Sequence, residues 1–214
     1  MKKIIIALFA LCMISPSINA QEEPYYPTGY KIRIERVTLG LISSKSFDKE
    51  KRYNYIDNSI ALCFGKQQNK HLYYGVGSEM IAKFDIEDFY LSLPLFAEIR
   101  ADYSDQKISP YAKLKVGYSI SLIGTDGQYY ELYQREDGKW FHLDYDYKDK
   151  LKGIYLRPEL GVRFKIVDLG FCVPILEFVR EIKTHDSQYK NTRKSKEKNM
   201  DIGGNIALSF HINI

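Results

Sequence analysis

Ser209 and His211 stand two apart near the end of the chain, and Glu98 or Glu159 would complete a Ser-His-acid set with them. On an extended segment two such residues share a face, and the chemistry would be nucleophilic hydrolysis. A nucleophile also needs a substrate-accessible oxyanion site, so two polar side chains that merely fill space are the better expectation and no catalytic residue is assigned. His142, Asp144 and Asp146 alternate in the same way and have the spacing of metal ligands. On an exposed hairpin such a trio normally faces solvent, so neither a metal nor a cofactor is expected. The chain has no phosphate-cradling glycine loop, no CxxC pair and no Gly-x-Ser-x-Gly.

The elements that must position these residues read as strands. Asn205 to Ile214 alternates without interruption, with Ile206, Leu208, Phe210, Ile212 and Ile214 on one face. A strict period of two makes one apolar and one polar face. The same pattern runs through Tyr30–Leu41, Tyr55–Gly65, Leu72–Ala82, Leu91–Tyr103, Ala112–Leu122, Ile154–Ile166 and Leu169–Arg180, the last interrupted by Pro174. A parity slip near Glu35 and Arg36 predicts a bulge. Short connections at Lys66–Lys70, Ser104–Gln106 and Val167–Asp168 alternate with long ones at Ser43–Arg52, Gly124–Lys152 and Lys183–Met200. Phe84–Glu87 departs from that rhythm. This is the loop pattern of an up-and-down barrel with its longer loops on the outer rim. Within one long connection, Gln128–Gln134 and Trp140–Tyr147 flank Asp137-Gly138, a hairpin turn signal. Charge among its aromatics favours a hairpin that projects beyond the bilayer over two further wall strands, so about eight strands are expected, or ten if the hairpin joins the wall.

Period two alone does not say which face is inside, and a soluble barrel with an apolar cavity would alternate in the same way. Three features favour an apolar exterior. The polar face is rich in small residues, namely Ala61, Gly75, Gly77, Gly117, Ser119, Ser121, Gly161 and Ala207, which suit a crowded lumen. Between them stand Glu98, Arg100, Lys113, Lys115, Arg157, Glu159, Arg163 and Lys165, carrying both signs, which an interior network would satisfy. Tyrosines 53, 55, 73, 74, 90, 103, 111, 118 and 155 lie near strand ends or faces, as interface anchors do.

The amino terminus carries Lys2 and Lys3, an apolar run to Ile14 and a small-residue site at Ala20. Residues 1–20 therefore read as a cleaved signal peptide, since the run is shorter than the roughly 20 residues of a spanning helix. Residues 21–29 form a short segment and 30–214 the barrel domain. The net charge of +4 includes both leader lysines, so nucleic acid is not implied. Cys63 and Cys172, far apart in strand-like runs, are expected as buried free thiols.

On this signal peptide, strand alternation, loop rhythm and terminal Phe210-His211-Ile212-Asn213-Ile214, the chain resembles the small outer-membrane β-barrel (porin-like) proteins of Gram-negative bacteria. The resemblance implies an outer-membrane location and an all-β, antiparallel up-and-down transmembrane barrel with an extended extracellular hairpin. It also implies contact with outer-membrane lipid and lipopolysaccharide, and assembly through a terminal strand whose Phe210, Ile212 and Ile214 face the assembly machinery. The function expected is a side-chain-filled, non-catalytic barrel with a structural or surface-contact role. The alternatives are a barrel component of a secretion or transport assembly, a soluble periplasmic barrel for a hydrophobic ligand, and a lipid-modifying enzyme using Ser209 and His211. Surface contact would fall to Tyr129, Tyr130, Tyr133, Trp140 and Phe141 of the hairpin, where exposed aromatics mark a partner surface. The basic run through Lys190, Arg193, Lys194, Lys196 and Lys198 would meet acidic lipopolysaccharide groups from the last outer loop.

Overall fold

The computed structural model describes residues 29–40, 44–45, 52–53, 56–84, 88–104, 106–134, 138, 140–186 and 192–213; the expected signal peptide lies outside them. The strands are β1 (Gly29–Gly40), β2 (Ser44–Lys45), β3 (Arg52–Tyr53), β4 (Ile56–Gln67), β5 (Leu72–Phe84), β6 (Phe89–Asp102), β7 (Ile108–Ile123), β8 (Thr125–Gln134), β9 (Trp140–Phe164), β10 (Val167–Cys172), β11 (Ile175–Asp186), β12 (Thr192–Ile202) and β13 (Asn205–Asn213). β2 pairs only with β3 in a small separate ladder. All pairings are antiparallel, and the ring closes first strand on last. Ile34 of β1 is opposite Leu62 of β4 on one side and Phe210 of β13 on the other. A closed ring leaves no unpaired edge in the wall.

The wall has eight staves. Three of them are built from two strands each: β7 continues into β8 past Gly124, β10 into β11 past Val173-Pro174, and β12 into β13 past Gly203-Gly204. Proline cannot donate to a ladder, so Pro174 breaks its stave without ending it. Val173 N–H donates to Pro158 O at 3.0 Å and Gly203 N–H to Pro174 O at 3.0 Å, which carries both neighbours across the breaks.

The long connections are largely strand. β9 runs unbroken from Trp140 to Phe164, so Lys148–Lys152, expected in a loop, belongs to the wall and its extension. The basic run expected as the last outer loop is strand β12 from Thr192 onward. β8, the first part of β9, β11 and β12 together form a four-stranded sheet standing beyond the rim where β5 ends and β6 begins. The hairpin therefore extends existing staves and adds none to the ring. Gly138, with φ +77°, supplies the left-handed residue of its turn.

Alternation decides the faces. On β6, Ser92, Pro94, Phe96, Glu98, Arg100 and Asp102 are buried, while Leu95 and Ile99 between them are about half exposed, at 50% and 51%. On β7, Tyr111, Lys113, Lys115 and Ser119 are buried, and Leu114, Val116, Tyr118, Ile120 and Leu122 are exposed. The charged set is inside and the apolar set outside, the reverse of a water-soluble protein. The bulge expected near Glu35 is displaced: the β1–β13 register holds through Thr38 and shifts between Thr38 and Gly40.

Candidate functional site in the barrel interior

Every polar residue aimed inward needs a partner, because a buried unpaired charge costs several kcal/mol. The lumen meets this need with pairs that cross it. Glu35 of β1 accepts from Lys113 Nζ and Lys115 Nζ of β7, both at 2.6 Å. Counted around the ring, β1 and β7 are four staves apart, on opposite walls. Arg157 of β9 donates through Nη1 to both oxygens of Glu79 of β5 at 2.8 Å and through Nη2 to Glu159 at 3.0 Å. Tyr155 adds a 2.6 Å hydrogen bond to Glu79. Arg33 pairs with Glu98, Arg100 with Asp168, and Lys83 with Asp201, each joining staves that are not neighbours. Nearer the termini, Arg163 Nη1 lies 3.1 Å from Asp102, and its Nη2 donates to the carbonyls of Ser104 and Gln106.

Two tyrosines extend the network through small residues. Tyr111 donates to Glu159 at 2.6 Å under the Arg100 guanidinium, which lies 4.1 Å from its ring centroid. Its hydroxyl occupies the space that a side chain on Gly161 or Gly170 would need: a Cβ there would fall 2.6 Å and 2.5 Å from it. Tyr73 repeats the arrangement beneath Arg33, with its hydroxyl over Gly65 and Gly75 and 3.4 Å from Cys63 Sγ. Glycine is needed at these positions for close approach. Both Cys63 and Cys172 are buried free thiols, as expected.

Toward the other rim the filling turns apolar. Ile81, Tyr90, Leu151 and Leu176 are buried in one cluster, with Phe178 edge-on to Tyr90 at 5.6 Å. One cavity, lined by Ser59, Glu79, Lys83, Arg157 and Asn205 among others, holds about 10 Å³, room for a single water.

Of the eight charged residues expected inside, Glu98, Arg100, Lys113, Lys115, Arg157, Glu159 and Arg163 are buried in this network. Lys165 is not. It is exposed in the two-residue Lys165-Ile166 turn with φ +57°, because strand β9 ends at Phe164 and parity counted past that point has no meaning. That turn also replaces the one expected at Val167–Asp168, and Asp168 is an interior partner. Lys31, Arg33, Glu35, Glu79, Lys83, Asp102, Asp168 and Asp201 are further interior charges beyond those eight. The alternation of Ile32 and Ile34 already placed Lys31, Arg33 and Glu35 on the inward face. Among the tyrosines expected at the interface, Tyr73, Tyr90, Tyr111 and Tyr155 are instead interior packing, whereas Tyr74, Tyr103 and Tyr118 face outward.

Ser209 is fully buried in the lumen wall, and its hydroxyl has no hydrogen-bond partner among the described residues. The side chains of His211 and Ile212, and all of Ile214, lie outside the described residues, as do the side chain of Phe141 and all of Lys190. Phe210 faces outward. His142 Nε2 is 3.7 Å from Asp144, but Asp146 is turned to His185 at 3.1 Å, so these three alternating residues do not converge. Among the described residues no cluster of three His, Cys, Asp or Glu side chains is placed to hold a metal.

On the projecting sheet, Tyr129 stacks on Tyr145 with centroids 4.6 Å apart, and Arg180 sits 4.9 Å from the Tyr147 ring. Tyr130 and Trp140 are exposed at 69% and 65%, on the opposite face of their strands from Tyr129 and Tyr133. The hydrogen bond from Lys150 holds the Glu181 carboxyl below the usual carboxylate range. Glu131, hydrogen-bonded by Tyr133, pushes that phenol up.

A closed antiparallel ring with paired charges inside and a continuous apolar exterior is a transmembrane β-barrel. Only a closed barrel satisfies every strand hydrogen bond within hydrocarbon, and only lipid leaves such an exterior favourable. No family model and no curated protein matches the chain. Among solved structures it is similar to the crystal structure of the outer membrane protein OprG from Pseudomonas aeruginosa, at 11% identity and a TM-score of 0.43 over 88% of this chain and 98% of that one. It is also similar to the solid-state NMR structure of the outer membrane protein AlkL in DMPC bilayers, at 11% identity and a TM-score of 0.43 over 94% of this chain and 98% of that one. The class assignment rests on the inverted polarity of this barrel.

Proposed function

We propose that this protein is an integral outer-membrane barrel with a sealed lumen, acting through its surface in envelope structure or contact and not as a solute pore or an enzyme. The observation that carries this reading is the pairing of Glu35 with Lys113 and Lys115 across the lumen. Side chains from opposite walls that meet at hydrogen-bond distance leave no path between them, and an eight-stave barrel is narrow enough for side chains to fill. The apolar cluster around Tyr90 and Leu151 backs this seal toward the second rim. The sheet that stands beyond that rim supplies the surface available for contact.

The lipid-hydrolase alternative needs Ser209 reachable by substrate, and its complete burial argues against that. The soluble-barrel alternative needs an apolar lumen, and the buried arginines, lysines and carboxylates argue against it. The test is envelope fractionation of cells expressing the full chain, with the membrane fraction run unheated and boiled. A heat-dependent mobility shift in the outer-membrane fraction is expected. Recovery in soluble periplasm without a shift would overturn the reading.

A further inference from the structure

The projecting sheet has the strand order β8, β9, β11, β12, and unlike the ring below it has two edges. They are built differently. β12 carries Arg193, Lys194, Lys196 and Lys198, and the short strand β2 lies against it. Lysines and a covering segment are devices that keep a strand edge from pairing with another chain. β8 has neither. Its 10 residues include no lysine, arginine or proline, and its ladder with β9 runs from Thr125 to Gln134 without a bulge. The neighbouring stave stops short of it, since the pairing of β6 with β7 ends at Leu91 opposite Ile123 and β8 begins at Thr125.

In an antiparallel pair every second residue of a strand turns its N–H and C=O away from the partner. On β8 those groups point to an edge with no described strand beside it, and Gln128–Gln134 is exposed throughout. The flanking side chains suit a further strand. Tyr130 and Leu132 stand 69% and 61% exposed on one face, with Tyr129 and Tyr133 on the other, and such residues gain from a cross-strand neighbour. Charge sets the sign of that neighbour. Asp126 and Glu131 are the charged residues of β8. Asp126 pairs with Lys148 at 3.0 Å, whereas Glu131 accepts from the phenols of Tyr133 and Tyr145 and has no ion pair among the described residues. A strand edge meant only for solvent would carry the protection that β12 has.

We infer that the free edge of β8 receives an extended, cation-bearing segment of a partner protein. That segment adds a fifth strand to the projecting sheet and sets a lysine or arginine beside Glu131. The inference rests on the surface-contact reading above and gives the mode of that contact: main-chain pairing at one strand edge, with side chains supplying selectivity.

The test uses the full mature chain in neutral detergent to select binders from a displayed library of random short peptides. The enriched sequence is synthesised and compared with two versions, N-methylated at its odd or at its even residues. One methylated set should weaken binding at least about tenfold and the other leave it unchanged, because an added strand pairs through every second amide. The enriched peptides should carry lysine or arginine. The variant Y130K/L132K, which gives β8 the lysines of a protected edge, should bind them at least about tenfold more weakly while keeping its heat-dependent gel shift. Failure to enrich any peptide, equal effects of the two methylated sets, or unchanged binding by the variant would overturn the inference while leaving the barrel reading intact. A dimer of the unmodified chain that Y130K/L132K makes monomeric would put a second copy on this edge in place of a partner, and would overturn it too. Absence of the gel shift in the unmodified chain would remove both.

Discussion

Lys115 reaches across the barrel to Glu35: its Nζ donates to Glu35 Oε2 at 2.6 Å although β7 and β1 are on opposite sides of the ring. Lys113 takes the other oxygen at 2.6 Å, and Arg157 lies 3.4 Å away. One carboxylate thus ties three cations from two staves. Removing one partner of such a buried group leaves uncompensated charge, at a cost of about 3 to 5 kcal/mol. Glu35→Ala should therefore lower the temperature at which the folded band converts to the unfolded one on a gel. An unchanged midpoint would mean that the strut contributes nothing.

The tyrosines and glycines give a coupled pair. Gly170→Ala places a methyl 2.5 Å from Tyr111 Oη, and overpacking of this kind costs about 1 to 3 kcal/mol. Tyr111→Phe removes the obstructing oxygen. In a double-mutant cycle the Gly170→Ala penalty should be smaller in the Phe background. Additive penalties would show that the contact is not what requires glycine.

Trp140 is the single tryptophan of the chain and stands on the projecting hairpin, 65% exposed. In reconstituted vesicles its fluorescence should be quenched by an aqueous quencher and left unchanged by lipids brominated on their acyl chains. Quenching by the brominated lipids would put the hairpin in the bilayer and revive a ten-stranded wall.

The Lys150 hydrogen bond depresses the Glu181 carboxyl. A depressed carboxylate contributes stability that is present above its unfolded value and lost as pH falls through the folded one. The pairing is therefore intact at neutral pH and disappears only in acid. Lys150→Gln should raise the Glu181 titration toward the ordinary carboxylate range, about 4.3, as followed by NMR of the labelled carboxyl. A midpoint that does not move would dissociate the two residues.

Much of this architecture is legible in the chain. Ala112–Leu122 and Leu91–Tyr103 alternate so strictly that the inward charges Lys113, Lys115, Glu98 and Arg100 follow from parity alone. Parity is a local property and fails where the backbone turns, as at Lys165. It is equally silent on which staves face each other. That Glu35 would be the hub for β7 lysines depends on ring closure, and that the Tyr111 hydroxyl would rest against Gly161 and Gly170 depends on β9 and β10 being brought beside it. The projecting sheet was harder to read, because its strands carry charge on both faces and resemble loops by composition. Lys194, Lys196 and Lys198 gain their common face only once β12 is seen as strand.

The most direct test of the sealed lumen is electrical. Purified mature protein, with its heat-dependent gel shift verified, is reconstituted into a planar bilayer and its ion current recorded at fixed voltage. With Glu35, Lys113 and Lys115 bridging the walls, the barrel should insert without stepwise conductance. Reproducible ohmic steps from the unmodified chain would mean that ions pass the strut, and would contradict the account.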